Sequence, residues 1–102
     1  MNFGEAIEKL KEGKLVRRYM WPTDQKFIFK QVPAEIKGEI VPKMQSLPND
    51  AKEFFEATFS SEEEQIDALY YTNQIALVGL SNTISSYSAS ADDIFADDWV
   101  LI

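Results

Sequence analysis

The sequence predicts an α+β fold: a small antiparallel β-sheet with two or three short helices, forming a single domain over residues 1–102. Three observations point there. A chain of 102 residues with 45% hydrophobic content has material for one modest core and no more. Helical periodicity is confined to two short stretches and a possible single turn near the C-terminus. About five extended apolar stretches accompany them without regular βαβ alternation, which favours antiparallel pairing.

The elements follow in order along the chain. Asn2 and Glu5 have capping-box spacing, Phe3, Ile7 and Leu10 recur at helical intervals, and Gly13 supplies a stop, so a short amphipathic helix covers about 3 to 12. "KLVRR" reads as a strand and "QKFIFKQV" as a second, with Phe27 and Phe29 on one face and Ile28 and Val32 on the other. Pro22 and Pro33 close these segments. In "LPNDAKEFFEATF", Pro48, Asn49 and Asp50 start a helix whose buried side is Phe54 and Phe55. "SSEEEQ" is a polar connection. "IDALYYTNQIALVGL" and "TISSYSA" then read as two strands joined through a turn at Ser81 and Asn82. Ser90 caps one helical turn through "ADDIFADD", and "WVLI" closes the chain as a strand.

Composition narrows the chemistry. With no histidine and no cysteine, disulfides, the usual zinc ligand sets, the Ser/His/Asp triad and the Cys/His dyad are excluded. No cofactor is expected. The first residues interleave charge with apolar side chains, unlike a signal peptide, and no apolar run approaches a membrane span, so the expectation is a soluble, cytoplasmic protein without membrane contact. A net charge of −7 argues against a nucleic-acid polymer as partner. Its distribution is uneven: residues 1 to 43 hold nine Lys/Arg against six Asp/Glu, and residues 44 to 102 hold one against eleven. The basic and acidic halves invite pairing within or between subunits, the alternative being an unevenly charged solvated surface.

Candidate functional residues lie near both ends. In "VRRYMWP", Arg17 and Arg18 alternate in direction along a strand, so one of them is placed to bind something. An arginine holds phosphate in bidentate fashion and Trp21 offers a ring for a planar base, although a lone tryptophan in a small domain is also a natural core anchor. Asp92, Asp93, Asp97 and Asp98 lack the spacing of a calcium loop and suit capping or arginine pairing better than catalysis. "TNQ", "SNT" and "SSYSAS" bring Asn73, Gln74, Asn82, Tyr87 and Ser90 toward the C-terminal hairpin. These amides and hydroxyls suit either a polar ligand or turn chemistry.

Two terminal blocks carry a resemblance. "NFGEAIEKLKEGKLVRRYMW" is similar to the N-terminal signature of the second Thoeris anti-defence family, in which FGEAL, a Gly-Lys turn, Val-x-Arg and a tryptophan recur. "DIFADDWVLI" resembles that family's terminal acid-Asp-Trp block, and "FIFKQVPAEI", "PKMQSLP" and "NQIALV" resemble a longer branch of it. The likeness is weakest from 51 to 68. The family arginine falls on Arg18, the tryptophan on Trp21, and the terminal Asp-Trp on Asp98 and Trp99. Met20 stands where glycine is usual, and Tyr87 where tryptophan is usual. The resemblance implies a phage-encoded homotetramer, acting in the bacterial host cytoplasm, that sequesters a glycocyclic ADP-ribose signal without degrading it. In some relatives the cargo is a cyclic oligonucleotide signal. Arg18 and Trp21 would then supply a charge and a ring to a pocket for an anionic, base-containing messenger. The rival expectations are an enzyme that hydrolyses the messenger and a plain protein-interaction module.

Overall fold

The computed structural model describes residues 1–63 and 65–102. In chain order the elements are α1 (Phe3–Lys11), β1 (Val16–Arg18), β2 (Gln25–Gln31), β3 (Ala34–Lys37), a 3-10 segment (Gly38–Lys43), α2 (Asn49–Phe59), β4 (Ala68–Tyr71), β5 (Gln74–Gly79), a 3-10 turn (Leu80–Asn82), β6 (Ile84–Ser86), α3 (Ala91–Ile94) and β7 (Trp99–Leu101). The fold is α+β, with both sheets antiparallel. The chain divides into two compact units, one of Met1–Val32 with Asn73–Ile102 and one of Pro33–Thr72.

The first unit is a five-stranded sheet of order β6-β5-β2-β1-β7 with α1 packed on it. Local chemistry sets the ends of α1. Asn2 Oδ1 accepts from the Glu5 N–H at 2.8 Å and Glu5 Oε1 accepts from the Asn2 N–H at 3.0 Å, completing the capping box. At the other end Gly13 takes φ +82°. The Lys14 N–H then reaches Lys9 O at 3.0 Å and the Gly13 N–H reaches Leu10 O at 3.0 Å, a Schellman motif. Ala6 and Leu10, one turn apart, meet Val16, Ile28, Trp21 and Trp99 in the core, each at most 8% exposed. Register places Val16 beside Ile28 and Ile28 beside Leu77, so alternate residues of three strands share this face. On the opposite face, Val78 and Ala76 are buried beside half-buried Phe27 and Phe29.

The β5–β6 hairpin turns through the residues that turn chemistry indicates. Ser81 and Asn82 adopt φ +56° and +59°, and the Thr83 N–H closes onto Leu80 O at 3.1 Å. Both central residues lie in the left-handed region that a type I′ turn requires.

The second unit pairs β3 with β4, Ala34 opposite Tyr71 through Lys37 opposite Ala68. The Gly38 N–H extends this ladder to Asp67 O at 2.8 Å. A Cβ on Gly38 would stand 2.9 Å from that same oxygen, so glycine is required by the close approach. Val41 is fully buried here.

Three expectations are corrected. Phe54 and Phe55 are not the buried side of α2: no residue of that helix is buried, and Phe54 is 65% exposed. Both rings instead line an open groove beside β4, so they meet neighbouring residues without being enclosed by a core. The apolar run 66–80 is two strands, because β4 pairs with β3 and β5 with β2 and β6. β3, whose "AEIK" alternates apolar with charged residues over only four positions, and the 3-10 segment lie outside the expected elements, and Val32 lies beyond β2 at 77% exposure. The polar connection over 60–65 contains Glu64, which lies outside the described residues.

Candidate ligand-binding cluster

Arg17 and Arg18 leave β1 in opposite directions and do different work. Arg17 folds over the following turn, its Nη2 donating to Trp21 O at 2.7 Å and its Nε to Arg18 O at 3.1 Å. Arg18 shares its face of the sheet with its register partner Trp99. Its Nε donates to Asp98 Oδ1 at 2.8 Å and its Nη1 to Asp93 Oδ1 at 2.9 Å, with 12% of its side chain exposed. Met20 Sδ lies against Nη2. The second oxygen of Asp98 accepts the Met20 N–H at 3.2 Å, tying the carboxylate to the turn.

Asp93 is the joint of the cluster. Ser90 caps α3 by accepting the Asp93 N–H at 3.1 Å, which fixes the aspartate in the first helical turn, where negative charge is favoured. Asp93 Oδ2 accepts the Tyr87 hydroxyl at 2.8 Å, and its backbone carbonyl accepts Trp99 Nε1 at 3.0 Å. Around this polar knot the rings of Trp21 and Trp99 meet edge to face at 5.2 Å, and Trp21 and Tyr87 do so at 5.9 Å.

The electrostatics follow from these contacts. The Arg18 fork holds the Asp98 carboxyl below the usual carboxylate range, assisted by the Met20 amide. Burial pushes the Asp93 carboxyl up, but hydrogen bonds from Arg18 and Tyr87 outweigh it and hold it low. Burial, then the bond to Asp93, pushes the Tyr87 phenol well above its ordinary value. The bonds to Asp98 and Asp93 raise the Arg18 guanidinium. Among the described residues no three acidic side chains converge as a metal-holding group.

Of the residues singled out in the sequence, the fold brings Arg18, Trp21, Tyr87, Ser90 and Asp98 into this one neighbourhood. Asn73 and Gln74 instead line a 290 Å³ cavity with Lys11 and Lys30 above Ile7 and Ile75. Asn82 sits in the hairpin turn. Tyr19 and Phe95 have no role in the sequence reading and stand 80% and 83% exposed, next in the chain to Arg18 and two residues after Asp93; Met20, 65% exposed, is marked there only as a departure from glycine. Large apolar side chains in segments that must turn were the available signal.

These features define a small antiparallel α+β domain whose first and last strands are joined through one charged, aromatic cluster. The family model for the Tad2-like domain, described as Thoeris anti-defense 2-like, matches residues 1–102, and the chain belongs to that family. Membership makes it an anti-defence domain of the Thoeris type. Among curated proteins, comparison of the sequence gives no match. Among the described residues no helix is long and apolar enough to cross a membrane.

Proposed function

We propose that this protein sequesters a glycocyclic ADP-ribose messenger of Thoeris defence without degrading it, acting as one domain over 1–102 within a homotetramer whose pockets are completed between subunits. The observation that carries the reading is the convergence of Arg18, Trp21, Tyr87, Ser90 and Asp98 in a chain whose whole length matches an anti-defence family. Three of the five guanidinium N–H groups of Arg18 are engaged, at Asp98, Asp93 and Met20, so donors remain for a phosphate oxygen. Tyr19 follows Arg18 directly and Phe95 lies two residues after Asp93, both rings are exposed, and covering them with a base and a second subunit would supply the burial that tight small-molecule binding needs.

The same geometry disfavours hydrolysis. Asp93 and Asp98 spend their oxygens on Arg18, Tyr87 and the Met20 amide, and both are held low. Carboxylates so engaged are poor proton donors near neutral pH. The test is recovery. The protein is incubated with excess messenger, the fall in free ligand is measured, the whole mixture is heat-denatured, and the supernatant is chromatographed, with cyclic oligonucleotides as a parallel arm. Free messenger is expected to fall in proportion to protein and the full amount to return unchanged. Opened product that accumulates beyond one equivalent per site would overturn the sponge. Tyr19→Ala and Phe95→Ala, at exposed positions, are expected to weaken retention by roughly tenfold if their rings stack on the bases.

A further inference from the structure

The second unit carries a groove of another chemistry, built wholly from residues 47–71. A 490 Å³ cavity lies between α2 and β4, walled by Leu47, Phe54, Phe55 and Ile66 and by the four consecutive residues Ala68–Tyr71. Side chains of consecutive strand residues alternate between the two faces of a sheet, and no described residue of β3 lines the cavity. The cavity therefore runs along the outer edge of β4 rather than over one face. Ladder phase says which backbone groups open onto it. The Gly38 N–H donates to Asp67 O, so the pairs Ile36–Leu69 and Ala34–Tyr71 are the hydrogen-bonded ones, and the N–H and C=O of Ala68 and Tyr70 turn away from β3. Ala68 is covered, whereas Tyr70 is 66% exposed.

Charge sets the occupant. Residues 33–72 hold nine Asp/Glu against three Lys/Arg, and the described lining of the cavity contains no charged side chain. An anionic nucleotide has nothing to meet here. We infer that this edge is a docking site for an extended segment of a partner protein in which Lys or Arg alternates with apolar residues. The segment adds a strand beside β4 through the Tyr70 backbone, seats its apolar side chains against Phe54 and Phe55, and turns its cations toward the acidic unit. The inference is independent of the sponge reading, since none of its residues belongs to the Arg18 cluster.

The probe is a short fluorescein-labelled peptide alternating lysine with valine, and its control replaces lysine by glutamate. Binding to the full-length protein is followed by anisotropy, and its location by backbone amide shifts. Saturable binding of the lysine peptide below roughly 1 mM is expected, weakening as salt rises, with shifts centred on Leu69 to Thr72 and on α2. Phe54→Ala, at an exposed position, should reduce affinity about fivefold or more while the circular dichroism spectrum is unchanged. Equal binding of the glutamate peptide, absence of saturation, shifts confined to 1–32 and 73–102, or full affinity in Phe54→Ala overturns the proposal. So does Phe54→Glu dissociating an oligomer of the wild type, since the edge then belongs to a second copy.

Discussion

Arg18 holds two aspartates that are 75 and 80 residues distant in the chain, and this makes it the most consequential single side chain in the first unit. A lysine in its place would keep the charge and lose the planar fork, which alone spans both carboxylates. The pairing also fixes a pH response. Asp93 and Asp98 have folded-state values depressed below the unfolded value of about 3.9, so their stabilisation is present above that pH and is lost as pH falls through the folded values. Thermal melts from neutral pH downward are expected to show a steep loss of Tm below about pH 4 in the wild type and a shallower one in Arg18→Gln. Equal slopes would mean that the pair contributes no pH dependence. At this scale the sequence was partly legible. Acids suited to pair with arginine were visible in "ADDIFADD", but which two of four would reach Arg18 depended on strand register. Trp21 shows the same division. Both its roles were readable as alternatives, and its 8% exposure now makes it a core ring, so Trp21→Ala would remove core packing at a cost of about 3–5 kcal/mol and cannot isolate a ligand contact.

Among the elements, those with strong local signals formed where the residues indicate. The capping box and Gly13 bound α1 within a residue of its expected limits, and Ser90 caps α3. Elements defined by their partner were not readable. In "IDALYYTNQIALVGL" only the polar pair Thr72 and Asn73 marks the break between β4 and β5, and it does not say that the two halves pair with different strands, because both are equally apolar and extended. The turn between β5 and β6 is legible in composition yet imperfect in chemistry, since Ser81 carries a Cβ at φ +56°. Ser81→Gly would relieve a left-handed cost of about 1–2 kcal/mol and spend about 0.5–1 kcal/mol of extra chain entropy. A net gain of up to about 1 kcal/mol is expected from denaturant titration, and destabilisation would show that the serine side chain supports the hairpin in another way.

For the whole molecule the question is what its exposed apolar surface is for. The edges of the five-stranded sheet are the three-residue strands β6 and β7, with Ile84 64%, Leu101 49% and Ile102 62% exposed. Short edges guard against indiscriminate strand addition, yet these side chains, with Tyr19 and Phe95, leave much apolar area in water. The proposed homotetramer would cover it. Light scattering at micromolar concentration is expected to give four times the 11.7 kDa chain mass, and a monomer at that concentration would reject the assembly. Composition made self-association a natural expectation, while the surface that carries it depends on long-range packing.

The register of β2 and β5 sets a kinetic problem. Gln31 and Gln74 are paired neighbours, yet the entire second unit is threaded between them, so the central ladder closes a loop that an ordinary hairpin would close with two residues. By loop-closure entropy the longer loop adds about 3 kcal/mol to the barrier if it closes as an unstructured coil. A second unit that folds first on its own local contacts shortens the effective loop and lowers that cost. Assembly would then be hierarchical, with the later segment of the sheet waiting on the inserted one. Gly38→Ala, which strains the approach to Asp67, is the kinetic probe: stopped-flow refolding monitored through the buried Trp99 should slow in this variant. An unchanged rate would mean that the central ladder zips without waiting for the segment between its strands.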